Sequence, residues 1–391
     1  AMLWRLVLAT VSLACLAGLA GADDAPELTL ESFHEQLNAD SKPWLVKFYA
    51  PWCKHCQALA PIWEEAAAKV KDKLHMGRVD CTSHKTLCSK FGVDGYPRVL
   101  IFSDGPDKGV DYKGPRKVED FQKLAKRLAE PPVGDFKSVE AAGKDHDVAF
   151  VLIGDESDLS AAFRDVAKAQ HHQCVFGTTA TGADSKYIKD GSGAGVVVVR
   201  EGEVTNFDRP TDDTSLEEAL AKFVAHRRFT LLPALDGYNF RDVSKTAPLT
   251  AIGVVDPAVH KPSSPFLSAL KNTARKLQGR MACGWISGVE WKKFVEEYDI
   301  DIRTMPRILI VDGDMEQYLA APPSLKKEAT IQSYLEDVLS GKVQLNQGWS
   351  FMLKTIFYDW WPVFLGVFLL LILLPIVMFC MSSDTSHTKP E

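Results

Sequence analysis

Cys53 and Cys56 stand two residues apart in VKFYAPWCKHCQALAP, the stretch whose residue types and spacing are best suited to chemistry. A C-x-x-C pair is either half of a zinc site, which needs a second pair of ligands at tetrahedral geometry, or a dithiol that exchanges with disulfides. The flanking elements favour exchange. Leu45 to Tyr49 is short and rich in β-branched and aromatic residues, as a buried strand is. From Gln57 onward helix formers place apolar residues three to four apart. Cys53 therefore falls at a helix N-terminus, where unpaired N–H groups and the macrodipole stabilise a thiolate; Lys54 and a protonated His55 push the same way. Cys56, one turn further in, is placed to close a short disulfide with Cys53 or to resolve a mixed one. An inert bridge stapling the turn is the bland alternative.

The motif W-C-x-H-C inside FYAPWC, followed by QALAPIWEEAA, resembles the active site of a catalytic thioredoxin-like domain of the protein disulfide isomerase family. The likeness continues through VDCTSHKTLCSKFGVDGYPRVLIFSDG and DYKGPRKVEDFQKLAKRL, covering the whole first domain. It implies that Cys53 is the exposed attacking cysteine and Cys56 the buried resolving one. It also implies that His55 stabilises the reduced thiolate and makes the pair oxidising. Pro97 in GYP resembles the proline whose cis peptide faces the disulfide, in keeping with the near confinement of cis bonds to proline. Arg116 in YKGPR resembles the mobile arginine that lowers the resolving cysteine's pKa when it swings in.

Two residues depart from the family's commonest pattern. Lys54 replaces the usual glycine of C-G-H-C and adds positive charge beside the thiolate, which makes the disulfide more oxidising. Lys47 stands where relatives hold a buried Glu or Asp that accepts the resolving cysteine's proton. The Cys56 proton is left without that acceptor.

Cys81 and Cys88 form a second pair, seven residues apart in VDCTSHKTLC. A strand followed by a short helix brings such residues within bonding distance, and some family members carry a bridge at this spacing. A structural disulfide is the expectation. A regulatory disulfide and two free thiols are the alternatives, and His75 and His84 leave a zinc site conceivable, against which an oxidising compartment argues.

At 391 residues, with 46% apolar and 25% charged residues, the chain is long enough for two to four domains and has no bias towards disorder. The net charge of −6 is mild. No basic patch interleaved with aromatics stands out, and GSGAG at Gly191 to Gly195 leads into a strand rather than a helix N-terminus, so nucleic acid is not an expected partner. Residues 1–22 read as a signal peptide, with a lone Arg5, an apolar Leu6 to Ala20 core and small residues before Asp23. Trp360 to Met381 is uncharged and long enough to span a hydrocarbon core, with Trp360 and Trp361 as an interfacial belt and Pro375 as a tolerated kink. The tail SSDTSHTKPE carries no clear retrieval signal.

Between these ends the chain repeats itself. PRVLIFSDG at Pro97 recurs as PRILIVDG at Pro306, and GRVDC before Cys81 recurs loosely as GRMAC before Cys283. The segment in place of the active-site turn, VVDPAVH after Gly253, has no cysteine. A middle unit follows the order β-α-β, β-hairpin, α through DVAFVLIGD, LSAAFRDVAKAQ, QCVFG, GVVVVREGEV and SLEEALAKFVAHR; it lacks both a C-x-x-C and a proline before its fourth strand. Cys174 and Cys283 read as buried free thiols on apolar strands.

The expected fold is α/β: three tandem thioredoxin-like domains followed by a single transmembrane helix. The expected order is a signal peptide at 1–22, a catalytic domain at 23–132 and two redox-inactive domains at 133–228 and 229–343. A juxtamembrane linker at 344–359, the membrane helix at 360–381 and a cytosolic tail at 382–391 complete it. The expected activity is that of a membrane-anchored thiol-disulfide oxidoreductase in the endoplasmic reticulum, type I, with its domains in the lumen. It forms, reduces or isomerises disulfides in secretory and membrane protein clients, recharged by glutathione or an upstream oxidase, with no cofactor and no metal. By resemblance, residues 229–343 are a candidate client-binding segment, or else a spacer. The competing function is a membrane-tethered client-binding chaperone whose disulfide is incidental.

Overall fold

A computed structural model describes residues 24–188 and 193–347. The expected signal peptide, membrane helix and tail, and most of the juxtamembrane linker, lie outside the described residues. Among the described residues no helix is long and apolar enough to cross a membrane. The chain divides into two compact units, with the boundary between Thr230 and Leu231. Three sheets carry it, two in the first unit and one in the second.

The first sheet has the order β2-β1-β3-β4, built from β1 (Trp44–Tyr49), β2 (His75–Asp80), β3 (Arg98–Phe102) and β4 (Val110–Asp111). β1 pairs parallel with β2 and antiparallel with β3. The parallel pairing requires a crossover, which helix α2 (Lys54–Val70) supplies. Strand alternation assigns the two faces of β1. Trp44, Val46 and Phe48 pack with Phe33 and Leu37 of helix α1 (Leu30–Leu37) and with Leu87 and Cys88 of helix α3 (Lys85–Lys90). Leu45 turns the other way, into the cluster of Trp63, Ala66, Ala67 and Val70 of α2 with Phe121, Leu124 and Ala125 of helix α4 (Val118–Leu128). Trp63 and Phe121 meet edge to face at 5.4 Å, in the geometry that aromatic quadrupoles favour. α1 starts at a capping box: Ser32 N donates to Thr29 Oγ1 at 3.2 Å, and Thr29 N to Ser32 Oγ at 3.0 Å.

The second sheet has the order β5-β7-β6-β8-β9: β5 (Gly134–Asp135), β6 (Val148–Ile153), β7 (Phe176–Thr179), β8 (Gly195–Arg200) and β9 (Glu203–Asn206). Helix α5 (Val139–Asp145) packs on one face. Helices α6 (Ser157–Gln170) and α7 (Leu216–Arg227) cover the other, so the β-α-β, hairpin, α order of the sequence is present. β5 is too short to announce itself in the sequence. Cys174 lies just before β7 rather than on a strand; it and Cys283 are buried free thiols.

The second unit holds the sheet β11-β10-β12-β13-β14, formed by β10 (Leu249–Val255), β11 (Ala282–Ser287), β12 (Arg307–Asp312), β13 (Gln317–Ala320) and β14 (Asn346–Gln347). Helices α9 (Pro265–Lys276) and α11 (Glu328–Leu339) pack into its core, and α8 (Phe240–Ser244) and α10 (Lys292–Glu297) are short.

Register corrects one part of the internal repeat. The landmark at Pro97 and Pro306 is structural: both follow cis peptide bonds, and the next residues, Arg98 and Arg307, pair with Phe48 and Val254. Counting back two residues, Val46 pairs with Gly77 and Ile252 with Gly284. The counterpart of GRVDC therefore begins at Gly284. GRMAC, starting at Gly279, occupies the turn entering β11. The two equivalent glycines are needed for the same reason. A Cβ on Gly77 would stand 2.8 Å from Leu28 Cδ1, and one on Gly284 2.5 Å from Leu235 Cγ. Each leucine belongs to a short edge segment, Pro26-Glu27-Leu28 or Pro233-Ala234-Leu235. Leu28 N donates to Arg78 O at 2.7 Å and Leu235 N to Trp285 O at 2.8 Å.

Candidate active site

The strand β1 ends against a tight turn, and the helix α2 begins immediately after it with Cys53 as N-cap. Cys53 N donates to Ala50 O at 3.1 Å, and Gln57 N to Cys53 O at 3.0 Å, which fixes the first turn. The residue is buried, at 8% exposure, rather than the exposed cysteine that the resemblance implies, because the Tyr96 backbone and cis Pro97 lie over it: its Sγ is 3.6 Å from Tyr96 O, the carbonyl preceding Pro97. Cys56, one turn on, is 3% exposed. Both are free thiols.

The two sulfurs are driven apart electrostatically. The Cys53 thiol sits below the ordinary cysteine range, chiefly through a hydrogen bond from the Cys56 thiol and, against some burial, through the backbone at Cys56 and His55. Cys56 is pushed up to about 11 by burial, with the hydrogen bond to Cys53 adding to the rise; the Ala50 backbone and the Lys47 charge pull it back. Of the two thiols, Cys53 is the more readily ionised.

The backbone at the helix start is among the causes of the Cys53 shift, whereas the side chains of Lys54 and His55 are exposed to solvent and are not. Water screens charges placed so. Trp52 is 70% exposed and meets Tyr96 edge to face at 5.9 Å, so an aromatic pair borders Cys53. Arg116 Nη2 donates to Pro97 O at 3.2 Å, which holds the guanidinium behind the cis-proline loop.

Lys47 is 2% exposed, with Nζ 5.4 Å from the Tyr49 ring centroid and 5.3 Å from that of Trp63. Burial lowers its pKa; Glu64, Cys56 and Glu27 oppose the shift, and Arg78 adds to it. Arg78 is directly opposite Lys47 in the β1–β2 register. Its Nε donates to Glu27 Oε2 at 3.0 Å and its Nη1 to Glu64 Oε1 at 2.8 Å. Glu27 also accepts from Asp80 N at 2.9 Å and from Tyr49 Oη at 3.3 Å. Tyr49 is pushed up to about 12 by burial and by Glu27 and Asp80.

Cys81 and Cys88 are bonded to each other, with Cα atoms 5.7 Å apart. β2 delivers Cys81, whose N–H donates to Tyr49 O at 2.9 Å, and α3 delivers Cys88. Their sulfurs are thereby unavailable as thiolate ligands, and His75 faces Asp40 at 2.9 Å. Among the described residues no group of three or more His, Cys, Asp or Glu side chains is arranged to hold a metal ion.

Sequence reasoning named Cys53, Cys56, Pro97 and Lys47 but missed four neighbours, Tyr96, Arg78, Glu64 and Glu27. Tyr96 places its carbonyl 3.6 Å from Cys53 Sγ. Glu64 and Glu27 reach the site through Arg78 of β2, and none of the three carries a local sequence signal that ties it to the cysteines.

The chain is similar to known proteins along most of its length. The family model described as Thioredoxin matches residues 24–127, and that described as Thioredoxin-like domain matches residues 153–337. Protein disulfide-isomerase TMX3 of Homo sapiens is 27% identical over 84% of this chain and 73% of its own length. TMX3 of Xenopus laevis is 25% identical over 90% of this chain and 78% of its own. Protein disulfide-isomerase A3 of Gallus gallus is 33% identical over 57% of this chain and 46% of its own. The chain is a thiol-disulfide oxidoreductase of multiple thioredoxin-type domains, similar along most of its length to the TMX3 protein disulfide-isomerases.

Proposed function

We propose that the C-K-H-C pair is the redox centre of an enzyme that makes, breaks or rearranges disulfides in secretory-pathway and membrane proteins. The observation that carries this reading is the opposite perturbation of two adjacent thiols, Cys53 below the ordinary range and Cys56 up to about 11, at one helix N-terminus. In the oxidising direction a client thiolate attacks Cys53 Sγ of the Cys53–Cys56 disulfide, and Cys56 departs as thiolate and takes up a proton. A second client thiolate then attacks the client sulfur of the mixed disulfide, and Cys53 departs as thiolate. The client loses two electrons and the dithiol gains them. The same steps in reverse reduce a wrong bridge.

The pieces divide the labour. The α2 N-terminus stabilises the departing Cys53 thiolate, the Tyr96 carbonyl offers an acceptor edge for client backbone, and Trp52 with Tyr96 gives an apolar border. Arg116 is the mobile cation of the reading, stored on Pro97 O. Lys47 takes the place of the proton acceptor. Anchoring by residues 360–381, with catalysis in the lumen of the endoplasmic reticulum, is supported by the uncharged run in the sequence and by the likeness to TMX3. The domain boundaries at 132 and 228 are part of this reading, as is client binding by residues 229–343.

Refolding of scrambled ribonuclease, whose disulfides are mispaired, tests the function. The wild-type chain restores activity in a glutathione buffer, and Cys53→Ser abolishes that restoration. A Cys53→Ser chain as effective as wild type would mean that the protein acts as a holding chaperone.

A further inference from the structure

Two buried donors stand out near Cys56. Trp63 Nε1 is buried with no hydrogen-bond partner, and the Lys47 ammonium lies between the Trp63 and Tyr49 rings. The groups facing Lys47 come from every element around it: Tyr49 from its own strand, Arg78 from β2, Cys56 and Glu64 from α2, and Glu27 from the N-terminal segment. β3 contributes only the apolar Val99 opposite Lys47. Two cations thus stand side by side on neighbouring strands, and the two carboxylates nearby are both bound to Arg78.

Glu64 differs from Glu27 in how it is held. Glu27 also serves Tyr49 Oη and Asp80 N and is committed to the edge of the sheet. Glu64 is on α2, the helix that carries Cys56 and Trp63, and pairs with Arg78 Nη1 at 2.8 Å. Its side chain is 48% exposed, and it is the foremost of the charges that oppose the lowering of the Lys47 pKa. We propose that Glu64, held on Arg78, is a positioning residue for disulfide exchange: it supplies the counter-charge that keeps Lys47 an ammonium beneath Cys56. Arg78 alone would repel that ammonium, and the aromatic cage alone cannot replace its lost hydration. With Glu64 in place Lys47 stabilises the Cys56 thiolate each time Cys56 leaves Cys53. Without it burial lowers the Lys47 pKa with less opposition, and that stabilisation weakens.

The inference rests on Cys56 being the buried partner of the exchange pair, yet its test needs no turnover. In the full chain carrying Cys53→Ser, the rate of Cys56 alkylation by iodoacetamide at fixed pH reports the thiolate fraction. Glu64→Gln is expected to slow alkylation about tenfold, the effect of one pKa unit. In a Lys47→Met background the same substitution changes the rate by less than about twofold, because the group through which Glu64 acts is gone. Glu65→Gln, one residue along and paired with Lys69 at 2.6 Å, leaves the rate in place. A merely structural Glu64 would slow alkylation equally in both backgrounds. That result, or no slowing at all, overturns the proposal. Failure of ribonuclease refolding would count against the function and leave this coupling to be judged by its own ratio.

Discussion

Lys47 Nζ lies 5.3 Å from the Trp63 ring centroid, so the residue that replaces the family's buried acid is held inside the core rather than led out to water. With its pKa lowered by burial and restored in part by Glu64, its charge is felt at Cys56. Lys47→Ala is expected to slow resolution of a Cys53–glutathione adduct, and Lys47→Glu to restore the rate by providing a carboxylate that accepts the Cys56 proton. Stopped-flow resolution across acid and neutral pH compares the three chains. Superimposable pH–rate profiles would make Lys47 a bystander.

The Cys81–Cys88 bridge joins the end of β2 to α3, and both residues are buried, at 3% and 4% exposure. Removing both cysteines by Cys81→Ala and Cys88→Ala is expected to cost about 2–4 kcal/mol, towards the lower figure because the loop is short. Glutathione that reduces Cys53–Cys56 should leave this bridge closed, since a buried structural bridge has the lower potential. Urea unfolding and mass spectrometry of alkylated peptides check the two statements, and free thiols at 81 and 88 in oxidised protein would contradict both.

Arg127 Nη1, on α4, donates to His172 O at 3.1 Å, joining the first sheet's layer to the segment before β7. His172 is pushed down to about 4 by burial, then by Arg228, Arg127 and His171. A histidine whose folded value is depressed contributes stability above its unfolded value of about 6.5, and loses it as pH falls towards the folded value. Acidification from neutral to about pH 5 is therefore expected to cost the first unit roughly 1–2 kcal/mol through this group. His172→Gln should flatten the dependence. Urea midpoints of the two chains at both pH values measure it, and parallel losses would show that the acid sensitivity lies elsewhere.

The elements that position the dithiol were legible because each has a strong local signal. β1 is a nearly continuous apolar run, α2 has helical apolar spacing, and GYP marks the one proline placed to face the cysteines. The electrostatics were less so. Lys54 and His55 look influential in the sequence because they neighbour Cys53 by number, but a helix start turns both into water. Glu64 and Arg78 matter because β1 and β2 lie parallel and α2 crosses between them, a relation that only tertiary structure creates. The repeat at GRMAC misled for a similar reason. Its residues match GRVDC, yet the residue that must be glycine is set by a leucine from a distant edge segment, and that leucine selects Gly284.

The division of roles between Cys53 and Cys56 is tested most directly by trapping. Cells expressing the full chain with Cys56→Ala should accumulate mixed disulfides between Cys53 and client proteins, seen as ladders on non-reducing gels that collapse on reduction. Cys53→Ala should accumulate none, because Cys56 is 3% exposed and stays protonated with a value of about 11. Equal ladders from the two variants would contradict the assignment of Cys53 as nucleophile and Cys56 as resolver.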